Sequence, residues 1–178
     1  MSDPRRDFLE RLHGKLVGEV ARSPERVEDA EDVDRDAYLH VVVGSEHMAL
    51  PVAAVEEVVI DPHLTPVPRA PAVVLGIFVH RGALVPVVDT ARLTGATGGG
   101  EGRGRIVVAG QGEDAVGLEV SATLGVIHVD LESWRELPRE TWRYITRAAR
   151  LSGTLVGLLD VAQILGMDVV AEATGGAP

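Results

Sequence analysis

The sequence lacks several residues on which common protein chemistries depend. Its 178 residues contain no cysteine, which excludes disulfides, thiolate nucleophiles, iron–sulfur clusters and cysteine-ligated zinc. Lysine occurs once, at Lys15. A P-loop, a kinase active site and a Schiff base each need a lysine, and the rest of the chain has no lysine for any of them. The longest apolar run, residues 70–79, is too short to cross a bilayer, and the N-terminus lacks a signal peptide's apolar core. We therefore expect a soluble, cytoplasmic protein with no direct membrane insertion.

The charge balance and the histidine spacing exclude two further classes of partner. Lys and Arg number 17 against 27 Asp and Glu, a formal net charge of −10. Proteins that bind a phosphate backbone need a clustered positive surface, so we expect no nucleic-acid partner. The six histidines show neither H-x-H nor H-x-x-x-H spacing, so we expect no metal site, and the sequence points to no cofactor. The glycine-rich stretch 95–105 lacks G-x-G-x-x-G spacing and indicates a solvent loop.

Composition divides the chain near residue 37. Residues 1–36 carry 18 charged side chains, and an apolar stripe at helical spacing predicts an amphipathic helix built on Phe8, Leu9, Leu12, Leu16, Val17 and Val20. The rest is rich in valine, in short runs bounded by Gly, Pro and Asp, which indicates many short strands. We predict an acidic, partly helical extension over 1–36, a mainly β domain over 37–168 and a tail over 169–178. Whether the extension docks on the domain or recruits a partner stays open.

The β domain contains an internal repeat. GALVPVVDTARLTG (82–95) and GTLVGLLDVAQILG (153–166) are identical at six of 14 positions, and residues 41–58 resemble residues 107–126 more loosely. The repeat halves span about 38–95 and 105–166. Two copies of one small β unit indicate two barrels or lobes packed about a pseudo-symmetry axis.

The repeated polar and glycine positions have structural interpretations. Gly82 and Gly153 suit the positive φ of a tight turn between strands. Asp89 and Asp160 each end a strand and stand where a carboxylate can cap a short helix, worth about 1 kcal/mol. We therefore interpret both aspartates as caps rather than catalytic groups.

Two further pairs carry local predictions. Glu56 and Glu57 are adjacent, so regular strand geometry predicts that they point to opposite faces and form no catalytic carboxylate pair. Trp134 and Trp142 are predicted to form local core rather than a ligand cage, although tryptophan is also a common interface anchor.

The ordered set of motifs resembles the CheW domain of bacterial chemosensory adaptors. The segments are MALPVAAVEEV, LTPVPRAPAVVLGIFVHRGALVPVVDTARL, GEDAVGLEVSATLGV and LVGLLDVAQIL, and together they cover about residues 37–168. The resemblance implies two intertwined five-stranded SH3-like barrels with an apolar core between them, joined here to short helices and the N-terminal helical extension. It also implies no catalytic activity. The implied partners are a CheA-type histidine kinase and the cytoplasmic tip of a chemoreceptor.

The resemblance also carries individual positions over. Val55 and Glu57 match a V-x-E element near the end of the second strand, and Gly76 matches the glycine that opens the next strand. Arg81 and Gly82 match the end of the family's Asn-Leu-Arg-Gly turn, whose arginine is associated with receptor and kinase coupling. Three positions depart from the pattern: Val79 and His80 replace the Asn and Leu, and Arg147 replaces a glycine after the Tyr-Ile-Thr strand. The partner-binding residues predicted for this chain are Val55, Glu57, Gly76, Val79, His80, Arg81 and Gly82.

Two functions remain open at this stage. The first is an adaptor that couples receptor to kinase in chemosensory arrays, at the membrane or in the cytoplasm. The alternative is a divergent CheW-like regulator that binds only one partner and limits or redirects array assembly, which the changed residues at positions 79, 80 and 147 motivate. An enzyme would need converging polar groups, and the sequence provides none. Which receptor, which kinase and which output are served stays open.

Overall fold

The computed structural model describes residues 37–98 and 104–167, and over these ranges the chain is mainly β, as predicted. The predicted extension over 1–36 and the tail over 169–178 lie outside the described residues. The strands are β1 (Ala37–Val43), β2 (Glu46–Pro51), β3 (Val55–Ile60), β4 (Val74–His80), β5 (Ala83–Asp89), β6 (Arg105–Ala109), β7 (Val116–Val120), β8 (Ala122–His128), β9 (Arg135–Glu136), β10 (Ile145–Leu151) and β11 (Thr154–Leu159). The helices are α1 (Thr90–Thr94) and α2 (Val161–Leu165), and 3-10 turns span Val52–Ala54, Gly112–Asp114 and Leu131–Ser133.

The strands form two sheets that exchange a hairpin between the halves of the chain. One sheet, which we name barrel A, has the order β8-β1-β2-β11-β10-β9, and the other, barrel B, has the order β3-β6-β7-β5-β4. Without the two-residue β9, the orders correspond strand for strand. The hairpin β1–β2 of the first half therefore completes barrel A beside second-half strands, and β6–β7 completes barrel B. The parallel pairs β2–β11 and β5–β7 join the exchanged hairpins to their hosts. The prediction of two intertwined barrels is confirmed.

Three apolar clusters account for this arrangement. Barrel A encloses a cluster that includes Tyr38 and Val156, and barrel B encloses one that includes Phe78 and Val85. The largest cluster lies between the barrels, with Leu50 and its repeat partner Leu118 both fully buried in it. Alternate residues of β6 thus serve different cores, with Ile106 and Val108 inside barrel B and Val107 and Ala109 between the barrels, which fits a strand buried on both faces.

The predicted turns and caps are confirmed. Gly82 and Gly153 have φ of 86° and 87°. The Asp89 carboxylate accepts the Arg92 N–H at 2.8 Å, and the Asp160 carboxylate accepts the N–H of Gln163 at 3.0 Å. These aspartates start α1 and α2, which leaves them a structural role.

Both tryptophans are core residues, as predicted. Trp134 packs edge-on against Tyr38 inside barrel A, with ring centroids 5.2 Å apart. Trp142 is buried in the cluster between the barrels. The excursion between β8 and β10 is therefore anchored at two points in two different cores.

Candidate functional site

The β4–β5 turn carries two of the predicted site residues on the surface of barrel B. Arg81 and Gly82 are the two central residues of the turn, with φ of 49° and 86°, the pair of positive values that a type I′ hairpin turn requires. A Cβ at Gly82 would meet nothing within 4 Å, so the backbone conformation rather than space favours glycine there. The Arg81 side chain is 65% exposed, so it lies on the surface of barrel B.

Arg81 is held by two carboxylates. Its Nη1 donates to Glu56 Oε1 at 2.9 Å, and its Nη2 donates to Glu57 Oε2 at 3.1 Å. The planar guanidinium presents two parallel donors, and here each meets a different side chain. The contacts join the β4–β5 turn to the start of β3. Strands β3 and β4 are the two edge strands of the barrel B sheet.

The prediction that Glu56 and Glu57 point to opposite faces is wrong, because β3 is bulged at this point. The pairing of β3 with β6 shifts register between Val55 and Glu57, so Glu56 is an extra residue without its own partner on β6. A β-bulge interrupts strict alternation and re-aims side chains. Both carboxylates therefore reach the same guanidinium.

His80 also lies next to the two glutamates. Its side chain is only 10% exposed, and its Nε2 lies 3.6 Å from Glu56 Oε1 and 3.7 Å from Glu57 Oε2. The ring stands 5.9 Å from that of Phe78, a residue of the barrel B core. We name Glu56, Glu57, His80 and Arg81 the ionic cluster.

The remaining predicted site residues are placed less uniformly. Val79 is 69% exposed and is the cross-strand partner of Leu84, which is 50% exposed, so an apolar pair lies beside Arg81. Val55 begins β3 rather than ending a second strand, and it packs against the core between the barrels. Gly76 lies inside β4 rather than at its opening, at a register shift, where a Cβ would stand 2.7 Å from the Thr65 carbonyl oxygen.

Arg147 likewise lies within a strand rather than after one. It belongs to β10, its guanidinium is 3.8 Å from Glu136 of β9, and its side chain is 40% exposed. The structure therefore brings Glu57, His80, Arg81 and Gly82 together. Glu56 also belongs to this group, although it was not among the predicted partner-binding residues. Nothing in the run VEEVV indicates a bulge.

Barrel A carries a different surface at the corresponding point. The matching strand of barrel A, β8, has a bulge at the same point, because Leu124 has no partner on β1. In the repeat, Leu124 and Gly125 correspond to Glu56 and Glu57. The turn residue matching Arg81 is Ser152, with φ of 47°. Among the described residues the pseudo-symmetry is thus broken here, with charge on barrel B and a half-exposed leucine on barrel A.

Two titratable groups outside the ionic cluster have shifted pKa values. His40 Nε2 lies 3.0 Å from His47 Nδ1, and burial, followed by the nearby His47, lowers the pKa of His40. Burial, followed by the charge of Asp89, raises the pKa of Glu119, while a hydrogen bond from the backbone of Gly104 opposes the shift. The groups that shift these pKa values, His47, Asp89 and the Gly104 backbone, all lie outside the ionic cluster.

The cluster is suited to binding rather than to chemistry. Glu56 and Glu57 are both bonded to Arg81, and the cluster contains no hydroxyl or thiol nucleophile. Within residues 37–98 and 104–167, no three His, Asp or Glu side chains are grouped so as to hold a metal ion. Over the same ranges, no helix has the length and apolar character needed to cross a membrane.

Comparison with known proteins identifies the family. The CheW-like domain matches residues 37–169. Chemotaxis protein CheW of Rhizobium meliloti (strain 1021) is 30% identical over 127 residues, which cover 68% of this chain and 82% of that protein. Chemotaxis protein CheW of Thermotoga maritima is 27% identical over 133 residues, 73% of this chain and 87% of that one. Protein FrzA of Myxococcus xanthus is 30% identical over 105 residues, 58% of this chain and 66% of that one.

A solved structure shares the fold. The crystal structure of scaffolding protein TtCheW from Thermoanaerobacter tengcongensis superposes with a TM-score of 0.66 at 22% identity, over 78% of this chain and 90% of that one. The intertwined barrels, the repeat and the family match agree over the same span of sequence. The chain belongs to the CheW-like domain family.

Proposed function

We propose that the protein is a non-catalytic adaptor that couples the cytoplasmic tip of a chemoreceptor to a CheA-type histidine kinase. The observation that carries the proposal is the family match across residues 37–169, which includes both barrels. The relatives named chemotaxis protein CheW and the solved structure described as a scaffolding protein support the same class of function. The family consists of scaffolding proteins rather than enzymes. We place this protein at chemoreceptor arrays.

The surface around the ionic cluster supports a partner contact. Val79 and Leu84 form an exposed apolar pair, and the exposed charges of Arg81 and Glu57 lie beside it. Protein interfaces commonly combine an apolar centre with a polar rim, and arginine is among the residues that contribute most to binding. Because Arg81 is pre-positioned by two carboxylates, it loses less conformational freedom on binding than a free arginine would.

Reconstitution with the kinase and the receptor tests the proposal. The wild-type protein is expected to raise receptor-dependent autophosphorylation of the kinase. Arg81→Glu is expected to weaken partner binding, because it reverses the charge at the centre of this surface. Its thermal midpoint is expected to change little, since exposed ion pairs contribute about 0–1 kcal/mol each. Thermal unfolding monitored by circular dichroism checks the second expectation.

Arg139→Glu is the matched control. Arg139 is 70% exposed and pairs with one carboxylate, Asp160, at 3.7 Å on the other half of the molecule. An equal loss of kinase coupling in both variants would mean that Arg81→Glu acts through the net charge of the protein and not through the position of Arg81. Unfolding of Arg81→Glu would contradict the surface assignment. Wild-type protein that binds neither partner would refute the proposed function itself.

The alternative is a regulator that binds only one partner, and two observations favour keeping it. His80 is turned inward to the ionic cluster, where the family pattern has leucine, and Arg147 forms an ion pair with Glu136 where the family has glycine. Both changes alter surfaces at which partners would sit. In the same reconstitution, such a regulator leaves kinase activity flat or lowers it while still binding one of the two partners.

A further inference from the structure

His80 places a titratable group against the two carboxylates that hold Arg81. Its Nε2 lies 3.6 Å from Glu56 Oε1 and 3.7 Å from Glu57 Oε2. These are the same two oxygen atoms that accept the hydrogen bonds of Arg81. The histidine side chain is only 10% exposed, whereas that of Arg81 is 65% exposed. One pair of carboxylate oxygens is thus shared by a buried imidazole and an exposed guanidinium.

The His80 imidazole lacks a hydrogen bond at the nitrogen that faces the glutamates. Nε2 is buried and has no hydrogen-bond partner within the part of the chain that the structure describes. A buried polar atom without a hydrogen bond is unfavourable, and protonation makes both imidazole nitrogens donors. Charge-assisted N–H···O bonds measure about 2.7–2.9 Å, so a movement of about 0.7–1 Å brings Nε2 into hydrogen-bonding distance of either carboxylate. Protonation therefore gives this nitrogen two acceptors.

The charged surroundings of His80 come from the ionic cluster itself. Its cross-strand partner on β5 is Ala83, and its ring lies 5.9 Å from that of Phe78, both of which are uncharged. Within the described residues, the charged groups that face His80 are therefore the two glutamates of β3 and its neighbour in the chain, Arg81. Two carboxylates and a single guanidinium meet there, so a proton on His80 supplies a second positive charge to the cluster.

A second positive charge in the cluster changes what Arg81 presents to a partner. The two cations compete for the same carboxylate oxygens, so less of the guanidinium charge is offset by the glutamates when His80 is protonated. A guanidinium has five N–H donors, and two hydrogen bonds join Arg81 to the glutamates, which leaves three donors for another acceptor. The planar donor set of arginine matches a carboxylate, so the group on the partner is an aspartate or glutamate side chain.

We propose that His80 regulates the partner contact of Arg81 by taking up a proton. Protonated His80 shares Glu56 and Glu57 with Arg81, so that Arg81 binds a carboxylate of the partner more tightly as pH falls from about 8 to about 6, within the range in which histidine ordinarily changes its charge. His80 acts through the glutamates and needs no contact with the partner. The inference rests on the proposed function, because it takes the surface around Arg81 as the partner surface.

NMR of the full-length protein tests the coupling without any partner. The Arg81 Nε–H resonance and the ring resonances of His80 are expected to shift with a common midpoint as pH falls from about 8 to about 6. In His80→Leu, and in His80→Gln if the leucine variant does not fold, the Arg81 resonance is expected to stay constant. His128→Gln is the matched control, because His128 is an exposed histidine at the end of β8 on barrel A, and it should leave the shift of Arg81 intact. An Arg81 resonance that does not move in the wild-type protein, or that moves equally in the His80 variants, would overturn the proposal.

Calorimetric titration with the CheA-type kinase and with a receptor cytoplasmic fragment tests the consequence for binding. The wild-type protein is expected to bind the partner that contacts Arg81 about fivefold more tightly at the lower pH, the lower end of typical couplings between two sites. His80→Gln and Arg81→Gln should each lose this difference, and comparing variants at the same pH removes the partner's own titration. Equal pH dependence in the wild-type protein and His80→Gln would overturn the regulation, as would binding that weakens as pH falls. Wild-type protein that binds neither partner at either pH would refute the proposed function instead, and the NMR titration would still decide the coupling.

Discussion

Gly76 allows a sharp test of whether a residue matched to a binding motif acts through contact or through the fold. Its φ is 154°, and a Cβ would lie 2.7 Å from the carbonyl oxygen and 3.2 Å from the carbonyl carbon of Thr65. Thr65 is fixed by two reciprocal backbone hydrogen bonds with Ile77, at 2.8 and 2.9 Å. The Gly76→Ala variant must therefore either strain β4 or push this segment away.

The expected cost follows from these contacts. A side chain in this backbone region costs about 1–3 kcal/mol. Displacing Thr65 weakens two hydrogen bonds, each worth about 1 kcal/mol. Together the effects amount to roughly 3–5 kcal/mol, which for a domain of this size lowers the thermal midpoint by about 10 °C. Gly153→Ala is the control, because its φ is 87° but a Cβ there would meet nothing within 4 Å. It should lose only about 1–2 kcal/mol.

Thermal and urea unfolding, followed by circular dichroism, measure both variants. Equal losses for Gly76→Ala and Gly153→Ala would refute the close-approach argument. Partner binding measured well below the midpoint then separates the two roles of Gly76. A folded Gly76→Ala protein that still binds would assign the glycine to the fold. Loss of binding without loss of stability would support the direct contact that the family motif implies.

Three further predictions concern caps, histidine and the domain boundary. Asp89→Ala and Asp160→Ala should each cost about 1 kcal/mol of unfolding free energy in denaturant titrations, and no loss would contradict capping. The pKa of His40 is lowered on folding, so the unfolded chain binds the proton more readily. The free energy of unfolding should therefore fall as pH drops below about 6.5, the ordinary pKa of histidine, and His40→Ile should flatten this slope between pH 7.5 and 5.5. Residues 37–178 alone should retain the β-sheet circular dichroism signal, and precipitation would place the boundary elsewhere.

Local features were predictable from the sequence because local chemistry determines them. A glycine after Arg81 or Ser152 signals a turn with positive φ, and an aspartate before a short apolar run signals a capped helix. Both predictions are confirmed in both halves. The many short strands were also predictable from the valine runs, because strand propensity depends on the composition of a few neighbouring residues.

The features that the sequence did not specify depend on pairing between distant segments. The bulge at Glu56 arises where β3 meets β6, some 50 residues later, and so regular alternation failed at this point. The contact of His40 with His47 depends on the β1–β2 register. In the repeat alignment, the positions of these histidines correspond to Ile106 and Ala115, which are buried in barrel B, so the repeat alone would suggest an apolar contact.

The exchanged hairpins impose an order on folding during synthesis. All strands of barrel B are present once Val120 has been made, whereas β1 and β2 wait for β11, which ends at Leu159, more than 100 residues after β2. At about 5–20 residues per second, that wait is roughly 5–20 s. For most of this interval the first hairpin has neither of its final neighbours, because β8 at one edge is complete only at His128 and β11 at the other edge only at Leu159. The earliest strands of the chain are thus among the last to be secured, and the nascent protein is most exposed to aggregation at its N-terminal hairpin.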